Sequence, residues 1–96
     1  MTDPVRTVRV IIQGRVQGVW YRGWAVETAA ALGLRGWVRN RNDGRVEAVV
    51  SGPAADVETM LARCRMGPPA ARVQSVTVRD CRDNVAPGFR QLPTAR

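Results

Sequence analysis

The chain changes periodicity across nine residues, Gly14-Arg15-Val16-Gln17-Gly18-Val19-Trp20-Tyr21-Arg22, and that junction limits the folds open to it. Before it, Val8, Val10 and Ile12 alternate with Thr7, Arg9 and Ile11, the pattern of a half-buried strand. After it, Ala25, Ala29 and Leu32 fall on one stripe of a helix that runs from Tyr21 to Leu32 and stops at Gly33. A strand delivered into a helix through two glycines leaves a tight loop with exposed backbone amides, and Arg22 arrives as the helix begins. N–H groups at a helix N-terminus, with a guanidinium beside them, make an anion site suited to a phosphoryl group.

Glycines and prolines punctuate the rest of the chain. Leu34 to Asn40 reads as extended, with Trp37 and Arg39 on one face and Gly36 and Val38 on the other. Asn42-Asp43-Gly44 is a hairpin turn, because Asx and Gly tolerate positive φ, and Arg45 to Ser51 is its return strand. Gly52-Pro53 opens a second helix whose Val57, Met60, Leu61 and Cys64 lie at i, i+3, i+4 and i+7, and Gly67-Pro68-Pro69 closes it. Arg72 to Cys81 is a fourth strand, with Val73 out of phase with Val76 and Val78, which places a bulge near Gln74. Phe89 to Leu92 is a short fifth strand that Pro93 confines to an edge. The order is β-α-β-β-α-β plus a short β. Two helices with one apolar stripe each are covered when both lie on one face of a single antiparallel sheet. The expected class is α+β, a ferredoxin-like α/β sandwich, as one domain over residues 1–96.

Composition removes several kinds of chemistry. There is no histidine, so Ser-His and Cys-His nucleophilic schemes and most zinc sites are excluded. Cys64 and Cys81 lack metal-ligand spacing and are expected to be free thiols. No window approaches the roughly 20 apolar residues of a membrane span, and Met1-Thr2-Asp3-Pro4 has no signal-peptide character. The cytoplasm is therefore the expected compartment. All 15 basic residues are arginines, and the formal charge is +7. Such a field steers small anions or holds nucleic acid loosely, and charge alone does not choose between them. The arginines are spread along the chain, as on a solvated basic surface.

The segment from Gly14 to Arg22, then Leu32-Gly33-Leu34, Gly36-Trp37-Val38-Arg39-Asn40, Asp43-Gly44 and Val46-Glu47, resembles the acylphosphatase family. Gly52, Gly67-Pro68, Ala71-Arg72-Val73 and Phe89 continue the likeness, which covers about Val8 to Phe89. The resemblance implies two catalytic residues, Arg22 closing the loop and Asn40 ending the second strand, and a phosphate-binding loop over Arg15, Val16, Gln17, Gly18, Val19, Trp20 and Tyr21. It also implies metal-free hydrolysis of a small acyl phosphate to a carboxylate and inorganic phosphate. Phosphate or sulfate is then the anion expected in the loop. No cofactor, metal, membrane or specific nucleic acid is expected, and the chain should be a monomer.

That reaction needs few side chains. A carboxylate whose acid has a pKa of about 4–5 leaves without a proton, and phosphoryl transfer is chiefly positioning and charge stabilisation. Arg22 can grip two phosphate oxygens while loop amides take the third. An amide is no base at neutral pH, so the resemblance gives Asn40 the orientation of water. Tyr21 stands where many members have phenylalanine, and Gly23 and Ala25 replace larger or hydroxyl-bearing residues; Gly23 is expected to loosen the first helical turn. Trp37 is read as strand-face packing, Trp20 as partly exposed near the site, and Asp43 and Glu47 as turn and strand-surface residues. The competing reading is a non-enzymatic module that binds an anion or RNA through its basic surface; one Phe and one Tyr do not supply the aromatic strand motif of an RNA-recognition sheet. A third reading, a module of carbamoyl-phosphate-using hydrogenase maturation proteins, calls for partner domains for which 96 residues leave no room.

Overall fold

The computed structural model describes residues 4–95. Seven elements follow one another: β1 (Val5–Arg15), α1 (Tyr21–Ala31), β2 (Arg35–Asn40), β3 (Val46–Pro53), α2 (Ala54–Cys64), β4 (Arg72–Asp80) and β5 (Phe89–Gln91). The strands form one sheet in the order β4-β1-β3-β2-β5. Val8, Val10 and Ile12 of β1 are completely buried and join Ala25 and Ala29 of α1 with Val57, Met60, Leu61 and Cys64 of α2 in one core. Each of the Val, Ile, Leu and Met side chains contributes about 1.5–3 kcal/mol by leaving water. The two stripes read from the sequence are thus the surfaces that hold the helices to the sheet, and the ferredoxin-like α+β arrangement is the one observed.

The four long strands pair antiparallel throughout, whereas β5 runs parallel to β2 and makes the complete sheet mixed. The connection explains this. β4 and β2 lie on opposite sides of the central pair and run in opposite directions. A chain that leaves β4, crosses the end of the sheet and turns back must therefore run alongside β2 in the same sense. As a result β1, β2 and β5 all finish at the same end of the sheet, at Arg15, Asn40 and Gln91. The bulge lies where expected: Gln13 pairs with Ser75 and Gly14 with Val73, so Gln74 is the extra residue. Gly14 fits there because a β-carbon would come within 2.2 Å of the Arg72 carbonyl oxygen.

One expectation needs correction. Glu47 is not a surface residue; it is only 4% exposed on the helix-free face of the central strand β3. Its carboxylate accepts from Arg9 Nη1 of β1 at 2.6 Å and from Arg39 Nε of β2 at 2.8 Å. Two arginine side chains laid across the sheet cover a carboxylate that strand alternation alone would leave in solvent. Trp37 lies on the same face, and the Arg39 guanidinium sits 4.8 Å from its ring centroid.

Candidate active site

The loop after β1 is shaped by backbone rather than by side-chain caps. Gly18 has φ 74°, and Trp20, the N-cap of α1, is left-handed at φ 66° and ψ 23°. No side chain caps this helix and no acidic residue occupies its first turn. The first N–H groups of a helix have no intrahelical partner, and here they carry the positive end of the dipole without a carboxylate to answer it. Arg22 adds a formal positive charge at that same end, an arrangement that an anion makes favourable.

Tyr21 anchors the start of the helix. Its side chain is only 2% exposed, its hydroxyl donates to the Cys64 carbonyl at the end of α2 at 2.7 Å, and its ring packs against Trp24. Burial pushes its phenol above the ordinary range. With Tyr21 pinned in the core, Arg22 emerges at the pocket. Gln17 provides a second fastening, its Nε2 donating to the carbonyls of Arg41 and Arg45 at 2.8 and 2.9 Å. Those carbonyls flank the β2–β3 turn, so one amide ties the loop to the hairpin that presents Asn40. Asp43 supports that turn by accepting from the Arg45 amide at 3.0 Å, and the bonds from Arg45 hold its carboxyl below its usual value.

A pocket of about 150 Å³ lies at this end of the sheet. The loop and helix line it with Val16, Gly18, Trp20, Tyr21, Arg22 and Gly23, β2 contributes Asn40, and β5 contributes Gln91. Arg22 and Asn40 therefore share one cavity, although eighteen residues separate them in the chain. Asn40 Oδ1 is buried there with no hydrogen-bond partner among the described residues. An orphaned buried acceptor costs about 1–3 kcal/mol.

The other candidate loop residues lie outside the lining. Arg15 is exposed at the end of the β1–β4 ladder opposite Arg72. The Gln17 side chain turns toward the hairpin, and Val19 packs against the core. Gln91 had no signal in the sequence, because its position depends on β5 pairing in parallel with β2. Larger hollows, about 460 Å³ beside Pro4 and Asp80 and about 470 Å³ beside Gln13 and Asp43, are shallow grooves away from the α1 N-terminus. No described helix is long and apolar enough to cross a membrane.

Comparison with known proteins points to one family. Residues 8–91 match the family model described as acylphosphatase. An acylphosphatase of Rhizorhabdus wittichii is 62% identical over 86 residues, covering 90% of this chain and 87% of its own. One from Rhodospirillum rubrum is 58% identical, covering 94% and 99% respectively. Among solved structures, an acylphosphatase from Coxiella burnetii superposes with a TM-score of 0.88 at 31% identity, over 92% of this chain and 93% of that one.

Proposed function

Because the chain belongs to the acylphosphatase family, we propose that this enzyme hydrolyses small acyl phosphates without a metal ion, using Arg22 and the loop amides for the phosphoryl group and Asn40 for the water. The observation that carries the proposal is that Asn40, whose buried Oδ1 has no hydrogen-bond partner among the described residues, lines the same cavity as Arg22 and the uncapped α1 N-terminus. The phosphoryl oxygens meet the guanidinium fork and the N–H groups of the loop and first turn. The Asn40 carboxamide hydrogen-bonds the attacking water and holds its oxygen in line with the scissile bond.

The step balances without an enzymic acid or base. The water oxygen forms a bond to phosphorus as the bond from phosphorus to the acyl oxygen breaks. The electron pair leaves on the carboxylate, and a water proton passes to a phosphoryl oxygen. RCO–OPO3(2−) and water become RCO2(−) and H2PO4(−). The loose transition state spreads charge over the three oxygens that the cradle surrounds. The same proposal makes the protein a cytoplasmic monomer that binds phosphate or sulfate in the loop. Both cysteines are free, and the large apolar side chains exposed among the described residues, Val5, Trp20 and Met66, are apart in sequence and form no long run.

The test is hydrolysis of an acyl phosphate in chelator-treated buffer. Turnover that inorganic phosphate inhibits competitively, and that Arg22→Ala nearly abolishes, is the expected result. An inactive parent chain that binds RNA tightly and in a salt-sensitive manner would replace this reading with a nucleic-acid one.

A further inference from the structure

Trp20 is the exceptional residue of the loop. Among the described non-glycine residues it alone has positive φ, and it is 58% exposed. Its ring is nevertheless seated: a β-carbon on Gly23 would come within 2.1 Å of indole Nε1 and 2.7 Å of Cδ1. The glycine that helix propensity disfavours in the first turn of α1 is thus what makes room for the indole. Both residues line the pocket that holds Arg22 and Asn40. The left-handed backbone and the missing β-carbon together fix a large, half-open aromatic surface at the mouth of an anion site.

We infer that Trp20 is the platform for the acyl group and that it selects aromatic or bulky apolar acyl phosphates over acetyl phosphate. The inference rests on the phosphoryl reading above. With the phosphoryl group held by Arg22 and the first-turn amides, the acyl group extends from it along the remaining wall of the pocket, which Trp20 shares. Gly18 and Gly23 offer no side chain there, Arg22, Asn40 and Gln91 are polar, and Val16 and Tyr21 are almost wholly buried. The exposed indole is the large apolar surface the acyl group meets on leaving the pocket. An aromatic ring gains by stacking on it, whereas a methyl group covers little of it.

The experiment measures kcat/KM for benzoyl phosphate and for acetyl phosphate in the parent enzyme and in Trp20→Phe, Trp20→Asn and Gly23→Ala. Asparagine tolerates the left-handed backbone, so it removes the ring with little strain. The benzoyl-to-acetyl ratio is expected to fall about five- to tenfold in Trp20→Asn. It should be largely retained in Trp20→Phe and should fall in Gly23→Ala, where the ring is unseated. Binding of benzylphosphonate relative to inorganic phosphate gives the same ratio for any variant that is catalytically silent. A ratio unmoved by Trp20→Asn, or a phenylalanine as damaging as asparagine, overturns the inference while the phosphoryl reading stands. Hydrolysis of neither substrate by the parent chain overturns both.

Discussion

Replacing Glu47 with glutamine should destabilise this protein far more than the same change at an exposed ion pair. The Glu47 side chain is 6% exposed, while its partners Arg9 and Arg39 are 40% and 32% exposed. Its two oxygens accept from the two flanking strands, Arg9 on β1 at 2.6 Å and Arg39 on β2 at 2.8 Å, and so tie both to β3. Hydrogen bonds to charged groups are worth about 1.5–3 kcal/mol each. Glutamine keeps the shape but turns an NH2 group toward one guanidinium. Both arginines retain a path to solvent and recover part of the loss, which brings the expected cost to about 2–3 kcal/mol, below the 3–5 of a fully buried broken pair. For a domain of this size that lowers Tm by about 10–20 °C. Glu58→Gln is the control, because Glu58 pairs with Arg6 on the surface and is 63% exposed; it should cost under about 1 kcal/mol. Thermal and urea unfolding followed by circular dichroism would measure both. If Glu47→Gln melts within about 3 °C of the parent, or no lower than the control, the view of Glu47 as a cross-strand clamp is wrong.

Other expectations follow from the same geometry. Gly36 has φ 143°, and a β-carbon there would lie 1.8 Å from the Val49 carbonyl oxygen and 3.0 Å from the Phe89 ring; Gly36→Ala should cost more than about 2 kcal/mol in urea unfolding, and a neutral result would refute the close β2–β3 approach. Burial pushes the Cys64 thiol from 9.0 up to about 11, so a thiol reagent at neutral pH should modify Cys81 rapidly and Cys64 only on unfolding. The same shift has a pH consequence. The unfolded thiol ionises first, so stability is intact below about pH 9 and falls by about 2–3 kcal/mol as pH rises to 11. The buried Tyr21 phenol acts in the same direction. Unchanged urea midpoints between pH 8 and pH 11 would refute this; those pH values are about one unit below the thiol's ordinary value and at its raised one.

What the sequence disclosed and what it withheld divide along a physical line. The strand–loop–helix junction, the two apolar stripes, the hairpin turn and the bulge at Gln74 depend on local backbone preferences and short periodicities, and all were legible. Arg22 and Asn40, joined in the sequence only by family resemblance, line one cavity in the fold. The features not foreseen depend on strand order and packing. Glu47 is buried because β1 and β2 flank β3: Arg39 stands directly opposite it on β2, and Arg9, opposite Val49 on β1, reaches it diagonally. Gln91 reaches the pocket because β5 runs parallel to β2. Gly23, read as a weakness of the first turn, is a seat for Trp20, a contact that no propensity encodes. The Gln17 side chain fastens the loop to the hairpin, a contact that depends on packing between distant segments and leaves the role expected of its backbone N–H untouched.

The most direct trial of the central assignment separates water placement from phosphate binding in Asn40→Ala. With the guanidinium and main-chain donors untouched, inorganic phosphate should bind within about twofold of the parent while kcat falls by about 10²–10³. Thermal stability should not decrease, because the substitution deletes a buried acceptor with no partner among the described residues. A variant that keeps its turnover, or that loses phosphate affinity in step with kcat, would contradict the account.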